Sequence, residues 1–110
     1  MNPNLTAWSW LAASIAAEVI GTVGLRHSDG FSKLLPTALA GSGYVLAVWL
    51  MSLSLKQIEM GLAYAIWAAG GTAITALIGM SFYGESTSAL RLTGLALVVA
   101  GVVVLNLESR

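Results

Sequence analysis

The chain has 110 residues, 57% of them hydrophobic and 9% charged, and its five basic and five acidic residues cancel. Soluble domains carry about 25% charged residues, so this is a membrane composition, and the zero net charge gives neither a nucleic-acid footprint nor a basic surface patch. With no cysteine and a single histidine, one subunit cannot assemble disulfides, a thiolate or histidine metal cluster, or a Ser/His/Asp triad; no cofactor, no metal and no enzyme activity are expected.

The apolar residues fall into four blocks, Ala7–Leu25, Leu34–Leu55, Gly61–Tyr83 and Leu92–Leu107, the last starting near Ala89. Each matches the roughly 17–25 residues that cross the hydrocarbon core as a helix. The pattern predicts an all-α membrane protein with four transmembrane helices, about 7–25, 34–55, 61–83 and 89–107, in one domain spanning 1–110.

The first block opens with Met1-Asn2-Pro3-Asn4, which lacks Lys and Arg, and it runs on past the small residues Ala13, Ala16 and Ala17, which argues against a signal peptide. Glu18 stands near its middle, whereas Asp29, Glu59 and Glu85 fall in links and Glu108 near the C-terminus. A charge at mid-bilayer costs about 2.5–3.5 kcal/mol on insertion scales, so such residues face a cavity or a partner and mark ion or substrate paths. A neutral, hydrogen-bonded packing role is the alternative. Helical steps of three, four and seven put Leu11, Ser14, Ile15, Gly21, Thr22 and Leu25 on the Glu18 face. Gly21 leaves room beside the carboxyl group and Ser14 is placed to offer it a hydroxyl, although both also suit plain helix packing. No basic residue is expected within a span to neutralise Glu18.

Link one, Arg26 to Lys33, is polar, contains the helix-stopping Gly30, and precedes Pro36 just inside the second helix. His27 in this link reads as a surface residue. In the second block Tyr44, Ala47, Val48 and Met51 share a face, Tyr44 being the polar one. Link two is Lys56 to Met60. The third block opens Gly61-Leu62-Ala63-Tyr64-Ala65-Ile66-Trp67, with Tyr64 and Trp67 three apart on one face. These rings suit either an interfacial aromatic belt or a wall that attracts organic cations. Gly70-Gly71 follows and can bend the helix. After link three, Gly84 to Ser88, the fourth block carries Gly94, Leu97, Val98 and Gly101 on one face, a stripe suited to a dimer interface or to packing within the monomer.

Short links force successive helices antiparallel. Arg26, Lys33 and Arg91 then lie on one side of the membrane against Lys56 and Arg110 on the other. Because orientation follows the side richer in Lys and Arg, this near balance predicts insertion both ways up and pairing of oppositely oriented copies. Two facing copies would bring two Glu18 side chains to one cavity, able to hold a proton or help hold a cation.

The segments Ala17-Glu18-Val19-Ile20-Gly21-Thr22, Gly30-Phe31-Ser32-Lys33-Leu34-Leu35-Pro36, Gly61 to Trp67 and Ala100-Gly101-Val102-Val103-Val104-Leu105-Asn106 together resemble the small multidrug resistance family of proton-coupled exporters. The resemblance covers essentially the whole chain. It implies an antiparallel homodimer in the bacterial inner membrane, whose paired glutamates alternate between proton and cationic substrate. It also implies a pocket lined by the first three helices and a dimer held by the fourth. Gly21 stands where the guanidinium-exporting branch typically has tryptophan, so the resemblance is to the branch that exports quaternary ammonium and other aromatic cations. Two departures are Ala47, where a pocket serine is common, and Ala69 before Gly70-Gly71, where the glycine pattern is shifted.

The resulting expectation is a proton-coupled antiporter for hydrophobic or quaternary cations. Glu18 is the proton and cation site. Tyr64, Trp67, Tyr44, Gly21, Ser14, Ile15, Thr22, Leu11, Ala47 and Val48 are the candidate substrate-site residues. The alternatives are a guanidinium or polyamine exporter, with or without a paralogous subunit, and a non-transporting assembly subunit that pairs Glu18 with a basic helix elsewhere.

Overall fold

A computed structural model describes residues 3–108; Met1 and Asn2 of the opening segment, and Arg110 of the charge balance, lie outside the described residues. Four helices follow in order: α1 (Pro3–His27), α2 (Leu34–Ser54), α3 (Met60–Phe82) and α4 (Ala89–Glu108). Each has 20 to 25 residues, and at 1.5 Å rise per residue the shortest spans about 30 Å, the thickness of the hydrocarbon core. A helix is the form such sequences take in lipid because every backbone group between its ends is satisfied within the segment.

The links use strong local chemistry. After α1, Ser28 is fully buried, donates from Oγ to the Leu25 carbonyl (2.7 Å) and accepts from the Phe31 amide (3.2 Å). Its own carbonyl accepts from the amides of Ser32 (2.9 Å) and Lys33 (3.1 Å). These bonds hold Asp29, Gly30 and Phe31 in a run of positive φ, which costs a non-glycine residue about 1–2 kcal/mol. After α3, the amides of Tyr83 and Glu85 both bond to the Gly79 carbonyl at 3.1 Å, across Gly84 at φ 67°.

The helices contact one another in the order α2, α1, α3, α4. The α1–α2 contact is the most extensive because small residues meet there. A methyl on Gly43 would stand 2.8 Å from the Ala17 carbonyl oxygen and 2.9 Å from the Gly21 Cα, and one on Gly24 would stand 3.0 Å from the Pro36 carbonyl oxygen. The backbones are therefore as close as they can come, the arrangement that lets dispersion hold membrane helices together. A second cluster, Leu11, Ile15, Val19, Ile58 and Ala63, seats α3 on α1. By contrast α4 packs chiefly on α3 and has no buried residue among those described. Leu34, Leu35, Phe82 and Leu90, each about 80% exposed or more, are the outward apolar surface expected of a chain solvated by lipid.

Candidate functional site

Glu18 occupies the middle of α1 and is partly buried, with its carboxyl group directed at α3. That approach depends on Gly71, whose bare Cα lies against Oε2. The two oxygens differ. Oε1 lies 3.2 Å from Thr22 Oγ1, one turn along α1, and the same hydroxyl is 3.0 Å from the Glu18 carbonyl and 2.8 Å from the Tyr44 hydroxyl of α2. Thr22 has one proton, so the arrangement that satisfies all three has Tyr44 donating to Thr22 and Thr22 donating on to Glu18. Oε2 is buried and has no hydrogen-bond partner among the described residues, and the same is true of Trp67 Nε1.

Glu18 and Trp67 both line one open cavity of about 520 Å³ between α1, α3 and α4, with Oε2 and Nε1 themselves buried at its edge. Its α3 wall is Trp67, Ala68, Gly71, Thr72, Thr75 and Ala76, residues at three- and four-residue steps and hence one helix face. Its α4 side is Arg91 and Leu95, and Glu85 of the α3–α4 link joins them. The volume falls within the roughly 300–1,000 Å³ typical of small-molecule sites.

Of the residues singled out in the sequence, Glu18, Thr22 and Trp67 line the cavity, and Tyr44 reaches it through Thr22. The hydroxyl of Ser14 does not serve Glu18: Ser14 is fully buried and donates to the Ala47 carbonyl at 2.6 Å. The reason is that Ser14 faces the α1–α2 contact, where its buried hydroxyl finds an acceptor in a helix carbonyl. Thr22 takes the place expected for Ser14. Leu11 and Ile15 are buried against α3, with Ile15 Cδ1 next to Gly70. Ala47 is buried between α1 and α2. Gly21 faces α2, where a methyl would meet the Ala40 carbonyl oxygen at 3.2 Å and the Tyr44 ring at 3.3 Å; a tryptophan there would displace Tyr44. Val48 and Tyr64 are 66% and 61% exposed, outside the cavity lining, although the Tyr64 ring lies 5.6 Å from that of Trp67. Gly94, Leu97, Val98 and Gly101 are all exposed on α4.

Two charges, Glu85 of link three and Arg91 near the start of the fourth helix, line the same cavity. Arg91 lies in the first turn of α4, so a span does carry a basic residue, but its Nη2 donates to Glu85 Oε1 at 3.0 Å and its charge is engaged there. Thr72 and Thr75 were also missed. The signal for them was present: two hydroxyls three apart on the Gly71 face of an otherwise apolar helix. Near the same end, exposed His27 meets the Tyr83 hydroxyl through Nε2 at 2.6 Å, and the Arg26 guanidinium lies 4.3 Å from the centre of the Tyr83 ring. No cluster of three His, Asp or Glu side chains suited to a metal occurs among the described residues.

The geometry therefore presents a carboxyl group with one oxygen tethered and one buried against Gly71 without a partner, beside a chamber lined by an indole and by threonine hydroxyls. A carboxyl group so placed has the chemistry to take up a proton or to help hold a cation. The sequence profile described as Small Multidrug Resistance protein matches residues 6–98. Quaternary ammonium compound-resistance protein QacF of Klebsiella aerogenes is 44% identical over 103 residues, covering 94% of each chain. Multidrug resistance protein EbrA of Bacillus subtilis (strain 168) is 41% identical over 102 residues, covering 93% of this chain and 97% of its own. Nicotine metabolites export pump subunit NepA of Paenarthrobacter nicotinovorans is 47% identical over 105 residues, covering 96% of this chain and 90% of its own.

Proposed function

This chain belongs to the small multidrug resistance family of membrane transporters, and from that premise we propose that it is a proton-coupled antiporter exporting hydrophobic or quaternary ammonium cations across the bacterial inner membrane. The observation that carries the proposal is the buried, unpartnered Oε2 of Glu18, a residue that lines a cavity of about 520 Å³. A buried carboxylate with an open oxygen needs either a proton or a cation. Binding of one expels the other, and that mutual exclusion is the coupling. Trp67 offers an aromatic face to an organic cation, while Thr22, backed by Tyr44, keeps Oε1 fixed through both halves of the exchange.

The working unit in this proposal is an antiparallel homodimer of copies inserted both ways up. The near-equal placement of Lys and Arg supports dual insertion. The exposed stripe of Gly94, Leu97, Val98 and Gly101 on α4, a helix with no buried residue, supports α4 as the dimer contact.

The test uses purified protein alone in liposomes. An outward-directed quaternary ammonium gradient should drive proton uptake in the wild type and none in Glu18→Gln, which keeps the size of the side chain and removes its exchangeable proton. Glu18→Asp should retain part of the flux. Proton-coupled flux in the Gln variant at the wild-type rate would remove Glu18 from the mechanism, and absence of flux in the wild type would favour an assembly subunit. A second reading, export of cations bearing N–H groups with a paralogous subunit, is favoured by the hydroxyls of Thr72 and Thr75 in the cavity and by a relative named as a pump subunit.

A further inference from the structure

Two threonines of the cavity wall carry hydroxyls that the fold does not use. Threonine inside a helix commonly bonds back to the carbonyl four residues earlier, as Thr22 does to Glu18 at 3.0 Å and Thr93 to Ala89 at 2.7 Å. Thr72 and Thr75 make no such bond and have no other hydrogen-bond partner among the described residues, although both line the cavity of Glu18. They differ in position. Thr75 is partly buried and Thr72 exposed, and Thr75 continues the four-residue stripe of Trp67 and Gly71 along α3. Gly71 is where Glu18 Oε2 meets α3, so the indole stands one turn to one side of the carboxyl group and Thr75 one turn to the other.

We propose that Thr75 is a specificity-determining residue: together with Glu18 it favours secondary and primary ammonium cations relative to quaternary ones bearing the same ring. The inference rests on the cation-export reading of the Glu18 site and names a substrate class within it. The step from Gly71 to Thr75 rises about 6 Å along the helix, about two N–H···O lengths. One ammonium nitrogen with two N–H groups spans that interval, donating one to Glu18 Oε2 and the other to the Thr75 hydroxyl, while an attached ring rests on Trp67. A quaternary nitrogen carries alkyl groups in both places, so it meets the charge of the carboxylate and leaves the hydroxyl covered and unpaired. Sites that hydrogen-bond a substrate N–H discriminate strongly against the analogue lacking it for this reason. In a two-copy unit each copy brings its own Glu18 and Thr75 on its own α1 and α3, so this spacing does not depend on how the copies share the cavity.

The test compares two probes of equal charge and the same ring, N-methylbenzylammonium with two N–H groups and benzyltrimethylammonium with none, by equilibrium binding to the purified full-length protein at neutral pH. Wild type should bind both in a manner lost in Glu18→Gln. Thr75→Val, which removes the hydroxyl at nearly constant size, should lower the ratio of secondary to quaternary affinity by roughly tenfold and leave quaternary affinity unchanged. Thr75→Ala should do the same. Thr75→Ser, which keeps the hydroxyl, should keep the wild-type ratio, and Thr72→Val, off the Trp67–Gly71 stripe, should also keep it. An unchanged ratio in Thr75→Val and Thr75→Ala overturns the proposal while leaving the role of Glu18 intact. So does an equal loss of both affinities in these two variants, which would assign Thr75 to the fold rather than to selection. Failure of wild type to bind either cation, or undiminished binding by Glu18→Gln, overturns the export reading itself and this inference with it.

Discussion

A methyl group on Gly71 would stand 2.7 Å from Glu18 Oε2, well inside the contact distance of carbon and oxygen. The Glu18 carboxyl group is thus positioned by the absence of a side chain on the facing helix. Gly71→Ala should leave the helices in place, because the clash is with the far end of a flexible side chain, and should push Oε2 off its position. The expected outcome is an unchanged melting temperature in detergent with roughly tenfold weaker binding of a quaternary cation, a loss of about 1.4 kcal/mol. Equal affinity for wild type and variant would mean that Oε2 is not where the cation sits.

Gly43 makes the opposite case. Its added methyl would lie 2.8 Å from the Ala17 carbonyl oxygen and 2.9 Å from the Gly21 Cα, and backbone cannot rotate aside. Gly43→Ala should therefore force α1 and α2 apart and destabilise the fold by about 1–3 kcal/mol, visible as a lower yield and melting temperature. Gly94→Ala and Gly101→Ala meet nothing within 4 Å in the single chain and should leave its fold unchanged; any loss of cross-linked dimer in those two variants would locate the contact on α4.

These contrasts show what the sequence could and could not reveal. The helices were legible because lipid allows few backbone solutions and the apolar blocks have the right length. Glu18 was legible because a lone mid-span acid is costly. Helical spacing correctly put Ser14, Gly21 and Thr22 near Glu18 in projection, but periodicity does not say which neighbouring helix a face meets. Ser14 and Gly21 turned to α2, and only Thr22 was left beside the carboxyl group. Glu85 and Arg91 were placed correctly along the chain, but their meeting beside the cavity was not legible, because it depends on the turn at Gly84 that folds Glu85 back onto Gly79.

The chain of hydroxyls from Tyr44 through Thr22 to Glu18 Oε1 predicts graded effects. Thr22→Val removes the one side-chain donor that the described residues place on the carboxyl group. A hydrogen bond to a charged group contributes about 1.5–3 kcal/mol, so cation affinity should fall by roughly tenfold or more. Tyr44→Phe leaves the Thr22 bond in place and should cost less. If Tyr44→Phe proved the more damaging of the two, Tyr44 would be acting on the substrate directly, and the order Tyr44, Thr22, Glu18 would be wrong.

The aromatic pair on α3 separates what one subunit does from what two do. Trp67 lines the Glu18 cavity, whereas Tyr64 is 61% exposed and reaches the site only through its ring contact with Trp67 at 5.6 Å. Cation–π attraction in a desolvated site reaches about 2 kcal/mol or more, roughly thirtyfold in affinity. Trp67→Leu should lose that much for an aromatic quaternary cation. Tyr64→Phe keeps the ring against Trp67 and should bind like wild type if the cavity of a single chain is the whole site. Tyr64→Leu, which removes the ring, should then cost only the small support that Trp67 loses. Were Tyr64→Leu as costly as Trp67→Leu, the exposed ring would have to meet the substrate from outside its own cavity, and the geometry that allows this is a second copy contributing Tyr64 across the subunit contact. Binding of the same cation to dilute, cross-linker-free monomer in detergent would decide between these cases, since a Tyr64 effect supplied across subunits disappears when the subunits part.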